Sequence, residues 1–277
     1  MTSFAHFVLL DFEATCDEGA PPRPQEIIEF PSVLMSARTF EIEDEFESFV
    51  RPVHHPTLTD FCRELTGIEQ SYVDRAETFP AVLERHLAWL RDRGLTSGGG
   101  REERFAFVTC GDWDLGTMLP RQLQVCEPPP STVPAPYRRW INIKRPFRAW
   151  RGTKRRTTSM VGMLEELDLE LTGRHHRGID DCRNLAKVLR RLLEEGVELS
   201  VTATVSRSQY PPLNLRLRRG PRVQDVVLRR RAVASLRGLA SAAFRTHVTG
   251  LSVASGEAIT DDDALFELEP GATIHVH

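Results

Sequence analysis

Residues 7–10 form an apolar run, Phe-Val-Leu-Leu, that passes directly into Asp11-Phe12-Glu13. An uninterrupted run of this kind reads as a buried strand. Strand side chains alternate faces, so Asp11 and Glu13 project to one side at the strand's end. Two like charges that close cost energy unless a cation neutralises them. A solvated acidic strand end is the plain alternative. The apolar lead-in argues for a central strand rather than a peripheral one.

The rest of the chain fits a sheet covered by helices. Residues 33–40 and 41–50 read as two further strands, a hairpin continuing the same sheet. Residues 59–65 and 79–91 carry helical spacing of apolar residues, with Thr59 and Thr78 as helix starts. Gly98, Gly99 and Gly100 mark a loop over 96–104, and residues 105–109 form another compact strand. Prolines make 127–136 extended. Residues 158–167 and 181–193 read as helices. Alternating strands and helices predict an α/β fold with a mixed central sheet. With 40% hydrophobic residues there is material for a real core. No run of about eighteen apolar residues occurs, so no membrane span is expected. The five cysteines are scattered without a Cys-x-x-Cys pair, which argues against a zinc site or a disulfide framework. With no secretory signal in residues 1–10, the chain is expected to be soluble and intracellular, in the cytoplasm or nucleus.

Two further acidic elements join the first. Asp112 and Asp114 flank Trp113 after the strand at 105–109. Either could be a helix cap, and residue chemistry alone does not choose between them. The segment 173–184 carries His175, His176, Asp180 and Asp181, and its five-residue spacing fits twice. Asp181 shares a helical face with Leu185, Val188 and Leu192, whereas Asp180 shares one with Arg183, Asn184 and Lys187. Asp181 is therefore expected to point inward beside His176, and Asp180 to cap the helix in solvent. Four converging carboxylates, Asp11, Glu13, Asp114 and Asp181, suit two hard cations that prefer oxygen ligands. Such a pair clamps the attacking and leaving oxygens of a phosphoryl transfer. An imidazole beside it, His176, can take a proton from the nucleophilic water.

These elements sit among blocks that resemble the DEDDh exonucleases, and specifically the ERI-1-like exoribonucleases. The matching blocks include Asp11-Phe-Glu-Ala-Thr-Cys16, Glu26-Ile-Ile-Glu-Phe-Pro31, Phe49-Val-Arg-Pro52, Leu65-Thr-Gly-Ile68, Val73-Asp-Arg-Ala76, Trp140-Ile-Asn-Ile143 and His176-x-Gly-x-Asp-Asp181. The likeness covers residues 7–196. It implies an RNase H-like αβα exonuclease fold, Mg²⁺ dependence with Mn²⁺ substituting, and release of nucleoside 5′-monophosphates from single-stranded RNA 3′ ends. It assigns the second-motif carboxylate to Asp114 rather than Asp112. It places the terminal nucleotide against Ala14, Thr15, Leu65 and Trp113, with His176 beside it. Members of that family often carry a nucleic-acid-binding segment ahead of the nuclease; none is expected here. Nine basic residues and no acidic ones between Arg138 and Arg156, interleaved with Trp140, Phe147 and Trp150, suit a groove that tracks phosphates.

Composition changes near 195–200, which divides the chain into a nuclease domain over 1–198 and a small domain over 199–277. In the second, strand-like runs at 213–217 and 223–228 precede a helical stretch at 234–244 and short strands ending at 273–276. That order suggests a small β-grasp domain, and residues 261–276 resemble the closing part of ubiquitin-like folds. Ten arginines and one acidic residue fall between Arg207 and Arg245; six acidic residues and no basic ones follow between Glu257 and Glu269. An auxiliary RNA-binding surface or a site for a protein partner fits this asymmetry, as does a plain solvated surface.

Overall fold

The computed structural model describes residues 4–96, 105–127, 133–152, 159–205, 213–228, 233–260, 268 and 271–277. The expected glycine loop from 97 on, residues 128–132 of the proline-rich segment, Lys154, Arg155, Arg156 and most of the acidic stretch lie outside these residues. They fall into two compact units: Met1–Cys126 with Ala135–Thr204, and Glu127–Pro134 with Val205–His277. Among the described residues, no helix is long and apolar enough to cross a membrane.

The first unit is built on a seven-stranded mixed sheet. Its strands are β1 (His6–Leu10), β2 (Glu13–Ala14), β3 (Ile27–Ser36), β4 (Ile42–Phe49), β5 (Phe105–Thr109), β6 (Arg139–Asn142) and β7 (Ala203–Thr204). β1 runs antiparallel to β3 on one side and parallel to β5 on the other, which makes it central. β2 and β4 both pair with Glu29 of β3, so they lie on its opposite edges. β6 continues parallel to β5, and β7 closes antiparallel on β6. The sequence led to a strand beginning at 33; β3 begins six residues earlier, and all ten of its residues are buried. Glu29 and Pro31 interrupt its apolar pattern and hide it from a reading by periodicity.

Helices cover both faces of this sheet. They are α1 (Asp60–Thr66), α2 (Gln70–Asp74), α3 (Phe79–Asp92), α4 (Leu119–Val125), α5 (Lys144–Arg151), α6 (Met160–Glu166) and α7 (Gly178–Glu194). On one face Phe7, Leu9, Val33 and Val108 pack against Leu185, Val188, Leu189 and Leu192 of α7. On the other an aromatic layer surrounds His86 of α3, whose ring stacks on Phe30 at 4.4 Å. His86 is fully buried and reaches the Tyr137 hydroxyl at 2.6 Å and Ser32 Oγ at 2.9 Å. Burial lowers its pKa to about 3, so its partners bond a neutral ring. Thr59 caps α1, its hydroxyl accepting from the Cys62 amide at 3.1 Å. The basic stretch read as a groove-lining segment contains α5, whose Phe147 packs into the α7 side of the core. Four of its basic residues and a proline obscure that helix in the sequence.

The second unit has a four-stranded sheet in the order β10-β11-β8-β9. Its elements are β8 (Leu213–Arg219), β9 (Arg222–Leu228), α8 (Val233–Phe244), β10 (Leu251–Val253) and β11 (Thr273–Val276). β8 and β9 form an antiparallel hairpin, β11 lies parallel to β8, and β10 returns antiparallel on β11. Leu215, Leu217, Leu236, Ala240 and Ile274 fill its core.

Candidate active site

The four carboxylates named from the sequence line one cleft of about 400 Å³. Asp11 follows β1, Glu13 opens β2, and Asp181 sits in the first turn of α7. Asp114 opens a π-helical turn, Asp114–Met118, directly after β5. β1 and β5 are parallel neighbours, so their carboxyl ends bring Asp11 and Asp114 side by side. Open α/β sheets place their ligands at such ends. One oxygen each from Asp11, Glu13 and Asp181 lie within 4.8 Å of one another. Asp114 lines the same cleft and accepts from the Phe12 amide at 2.9 Å through Oδ1.

This cluster is electrostatically uncomfortable as it stands. Burial raises the Asp11 pKa well above the carboxylate range, and Asp114, Asp181 and Glu29 raise it further. Glu13 is raised by burial and then by Asp11 and Glu29. Asp114 is pushed up to about 6 by burial, against the opposing Phe12 amide. Asp181 is raised by burial, against the opposing His175. Lys144 at the start of α5 is the cation that lowers Asp11 and Asp114. Crowded anionic oxygens with so little compensation fit hard divalent cations.

The histidines differ from the spacing argument in one respect. It is the His175 ring that meets Asp181, with Nδ1 3.2 Å from both carboxylate oxygens. His176 reaches Asp181 through its backbone, the amide donating to Oδ2 at 2.9 Å. Its own ring stacks on His175 with centroids 3.9 Å apart. The turn places His176 at φ 67, a backbone twist that side-chain spacing does not encode. Burial and the neighbouring His175 lower the His176 pKa, so its ring favours the neutral, proton-accepting form. The expectation for Asp180 is corrected as well. It lies inside the first turn of α7, accepts from the Arg174 amide at 2.9 Å and pairs with Arg183, so it is not a solvent-facing cap.

Of the residues expected around a terminal nucleotide, Ala14, Leu65, Trp113 and His176 line the cleft. Trp113 is 39% exposed, which leaves its ring available for stacking. Thr15 is turned away: its hydroxyl accepts from the Glu26 amide at 3.0 Å in the buried interior. Asp112 points elsewhere, accepting from the Trp140 indole at 3.0 Å and pairing with Arg145.

Glu29 was not anticipated. It is fully buried in β3, and its carboxylate accepts from the Gly178 amide at 3.0 Å and the Ile179 amide at 3.4 Å. It also meets Arg177 Nε at 3.1 Å. A carboxylate at the start of α7 complements the helix dipole and holds the helix that carries Asp181. Burial still raises its pKa to about 7. Gly178 makes the approach possible. A Cβ there would stand 2.7 Å from the Asp11 carbonyl oxygen and 2.8 Å from Pro31 Cγ. Gly178→Ala is therefore expected to push α7 away from β1, lowering stability by about 1–3 kcal/mol and weakening binding of Mn²⁺. Calorimetry and Mn²⁺ titration check this; an unchanged melting point and affinity would show that the contact relaxes freely.

A larger depression of about 620 Å³ lies near Phe4, Phe40 and Leu193. Glu43 pairs with His6 there, and the clusters of potential metal ligands among the described residues lie elsewhere, around Asp181. The chemistry belongs to the smaller, acidic cleft.

A mixed sheet between helical layers, with carboxylates meeting at the ends of parallel strands and a helix start, defines an RNase H-like exonuclease fold. Residues 8–189 match the family described as RNase_T: Exonuclease. The chain is 39% identical over 207 residues to human 3′-5′ exoribonuclease 1, an alignment covering 74% of this chain and 57% of that protein. The nuclease domain of 3′hExo, a DEDDh family member solved with rAMP, is 39% identical with a TM-score of 0.68, over 73% of this chain and 98% of that one. A 3′-exonuclease solved in recognition of the 3′ end of a histone mRNA stem-loop is 34% identical with a TM-score of 0.67, over 82% and 92%. The chain belongs to the exonuclease family, in its DEDDh branch with the ERI1-type exoribonucleases. It spans a little over half the length of 3′-5′ exoribonuclease 1 and of ERI1 exoribonuclease 3, and less of some other relatives.

Proposed function

We propose that this protein is a metal-dependent 3′→5′ exoribonuclease that removes nucleoside 5′-monophosphates from single-stranded RNA ends. The observation that carries this reading is the meeting of Asp11, Glu13 and Asp181 oxygens within 4.8 Å, with Asp114 against Asp11 and two imidazoles beside them. Two divalent cations, Mg²⁺ with Mn²⁺ as a substitute, would be held by Asp11, Glu13, Asp114 and Asp181. When bound, they would neutralise the phosphate and make water a better nucleophile. His176 is the residue placed to accept a proton from the attacking water, because its lowered pKa favours the neutral ring and it lines the cleft. Ala14 and Leu65 give the terminal nucleotide an apolar seat, and Trp113 offers a ring face for its base. The recognition of RNA by the related 3′-exonuclease supports the choice of substrate.

The test is incubation of the full chain with end-labelled single-stranded RNA or DNA, with Mg²⁺ or with EDTA. Stepwise shortening of RNA that EDTA abolishes is expected. Binding without shortening would indicate a silent scaffold, and faster loss of DNA would overturn the substrate assignment. Trp113→Ala is expected to raise KM for RNA by roughly ten- to a hundredfold, since stacking contributes about 1–3 kcal/mol per base. The exposed position of Trp113 should leave the fold intact; steady-state kinetics with an unchanged KM would remove Trp113 from the nucleotide site.

We further infer that the second unit is a β-grasp domain. A hairpin, a helix, and a last strand parallel to the first in the middle of the sheet support that reading.

A further inference from the structure

His175 stands outside the His176-x-Gly-x-Asp-Asp181 block, yet it makes the closest ring contact with Asp181. Its Nδ1 lies 3.2 Å from both Asp181 oxygens. One ligand atom each from His175, His176 and Asp181 lie within 4.8 Å of one another. Asp181 is 3% exposed and fixed by the His176 amide, whereas the His175 side chain is 36% exposed and open to an incoming ion.

Two imidazole nitrogens and one carboxylate differ in kind from the neighbouring all-oxygen set. Mg²⁺ takes hard oxygen ligands and gains little from imidazole. Zinc and its borderline relatives bind imidazole and carboxylate together, with three protein ligands leaving one position open. Tetrahedral ligation at about 2.0–2.2 Å places donors roughly 3.3–3.6 Å apart. His175 Nδ1 and the Asp181 oxygens, at 3.2 Å, stand just short of that separation. The three ligand atoms lie within 4.8 Å of one another, and a turn of the stacked rings would close them on an ion.

We propose that His175, His176 and Asp181 form a nitrogen-rich site for a zinc-class divalent ion, overlapping the all-oxygen cluster through Asp181. The consequence for activity rests on the exoribonuclease reading. An ion held there occupies the nitrogen that His176 would use as a base. It also takes Asp181 from the carboxylate set. Zinc therefore opposes magnesium at this site, and His175 sets the ratio between them.

The experiment uses the untagged full chain, stripped of metal, and compares it with His175→Ala. Zinc affinity is measured by competition with a chromophoric chelator. Cobalt absorption reports nitrogen ligation, and Mn²⁺ affinity reports the oxygen set. The substitution is expected to weaken zinc binding about tenfold or more relative to Mn²⁺, to change the cobalt spectrum, and to leave the melting point near that of the parent. In Mg²⁺-driven RNA shortening, with each protein scaled to its own zinc-free rate, the zinc concentration for half-inhibition should rise by a similar factor. Equal zinc-to-manganese ratios in the two proteins, with identical cobalt spectra, would overturn the proposal. Failure of the nuclease reading appears separately, as no shortening with Mg²⁺ alone, and leaves the binding measurements decisive.

Discussion

Asp11→Asn is expected to slow RNA shortening by about 10²–10³-fold or more, the range for removing one preorganised electrostatic contact to a reacting group. The same substitution is expected to raise the melting temperature of the metal-free protein at pH 8. Both effects have one cause. Asp11 receives repulsion from Asp114, Asp181 and Glu29, and it is raised by burial before any of them acts. Asparagine keeps the shape and removes a charge, so the metal-free cluster relaxes. It also removes an anionic oxygen from the set that meets Glu13 and Asp181 within 4.8 Å, so a divalent cation binds less well. Opposite movement of stability and activity is what a site strained for function predicts. Single-turnover cleavage of labelled RNA gives the first readout and thermal denaturation of the metal-free protein the second, with Mn²⁺ titration reporting the loss of cation affinity. Wild-type turnover in Asp11→Asn would exclude the carboxylate scheme. Lower stability in metal-free protein would mean that Asp11 holds the fold together rather than straining it.

Particular residues show how far the sequence reveals this site. Asp11 and Glu13 were legible because strand parity is local: two positions on a strand share a face wherever the strand ends up. Asp181 was legible because the stripe Leu185, Val188 and Leu192 fixes which side of α7 is buried. The choice between Asp112 and Asp114 needed the family resemblance, since both follow the same strand. The structure separates them through long-range contacts, Phe12 with Asp114 and Trp140 with Asp112. Glu29 was hidden for a related reason. A charged residue inside a fully buried strand makes sense only beside the start of α7, 149 residues away in sequence. The ring that meets Asp181 could not be read from spacing, because a left-handed residue at 176 decides it. In the second unit the strands followed from alternation, as in Leu215 and Leu217 against Arg216 and Arg218.

The stabilisation that a divalent cation gives the first unit is expected to grow as pH rises from 6 to 8. Asp114 is raised to about 6 from 3.8, and Glu29 to about 7 from 4.5. A carboxyl raised on folding contributes stability that is fully present below its unfolded pKa. That contribution is lost as pH rises through the folded value. At 1.36 kcal/mol per pKa unit, each of these two groups represents roughly 3 kcal/mol, to order of magnitude. Asp11, Glu13 and Asp181 shift in the same direction. For Asp114 that loss runs from about pH 4 to 6 and for Glu29 from about pH 4.5 to 7, so between pH 6 and 8 the metal-free unit weakens further only by the remainder, about 1–2 kcal/mol. His86 works the other way: its depressed pKa of about 3 stabilises above 6.5 and costs stability as pH falls. Comparing metal-free with metal-saturated protein at each pH cancels His86, which lies on the opposite side of the sheet from α7. Metal ligands must be deprotonated, so affinity and the resulting shift in melting temperature rise together with pH. All four tryptophans, Trp89, Trp113, Trp140 and Trp150, lie in the first unit, so tryptophan fluorescence follows its unfolding without the second. A shift of several degrees at pH 8 is expected from a few kcal/mol in a unit of this size, with a smaller one at pH 6. A metal-induced shift that stays flat across this range would mean that the buried carboxylates do not titrate with the ion, and that the cation sits elsewhere.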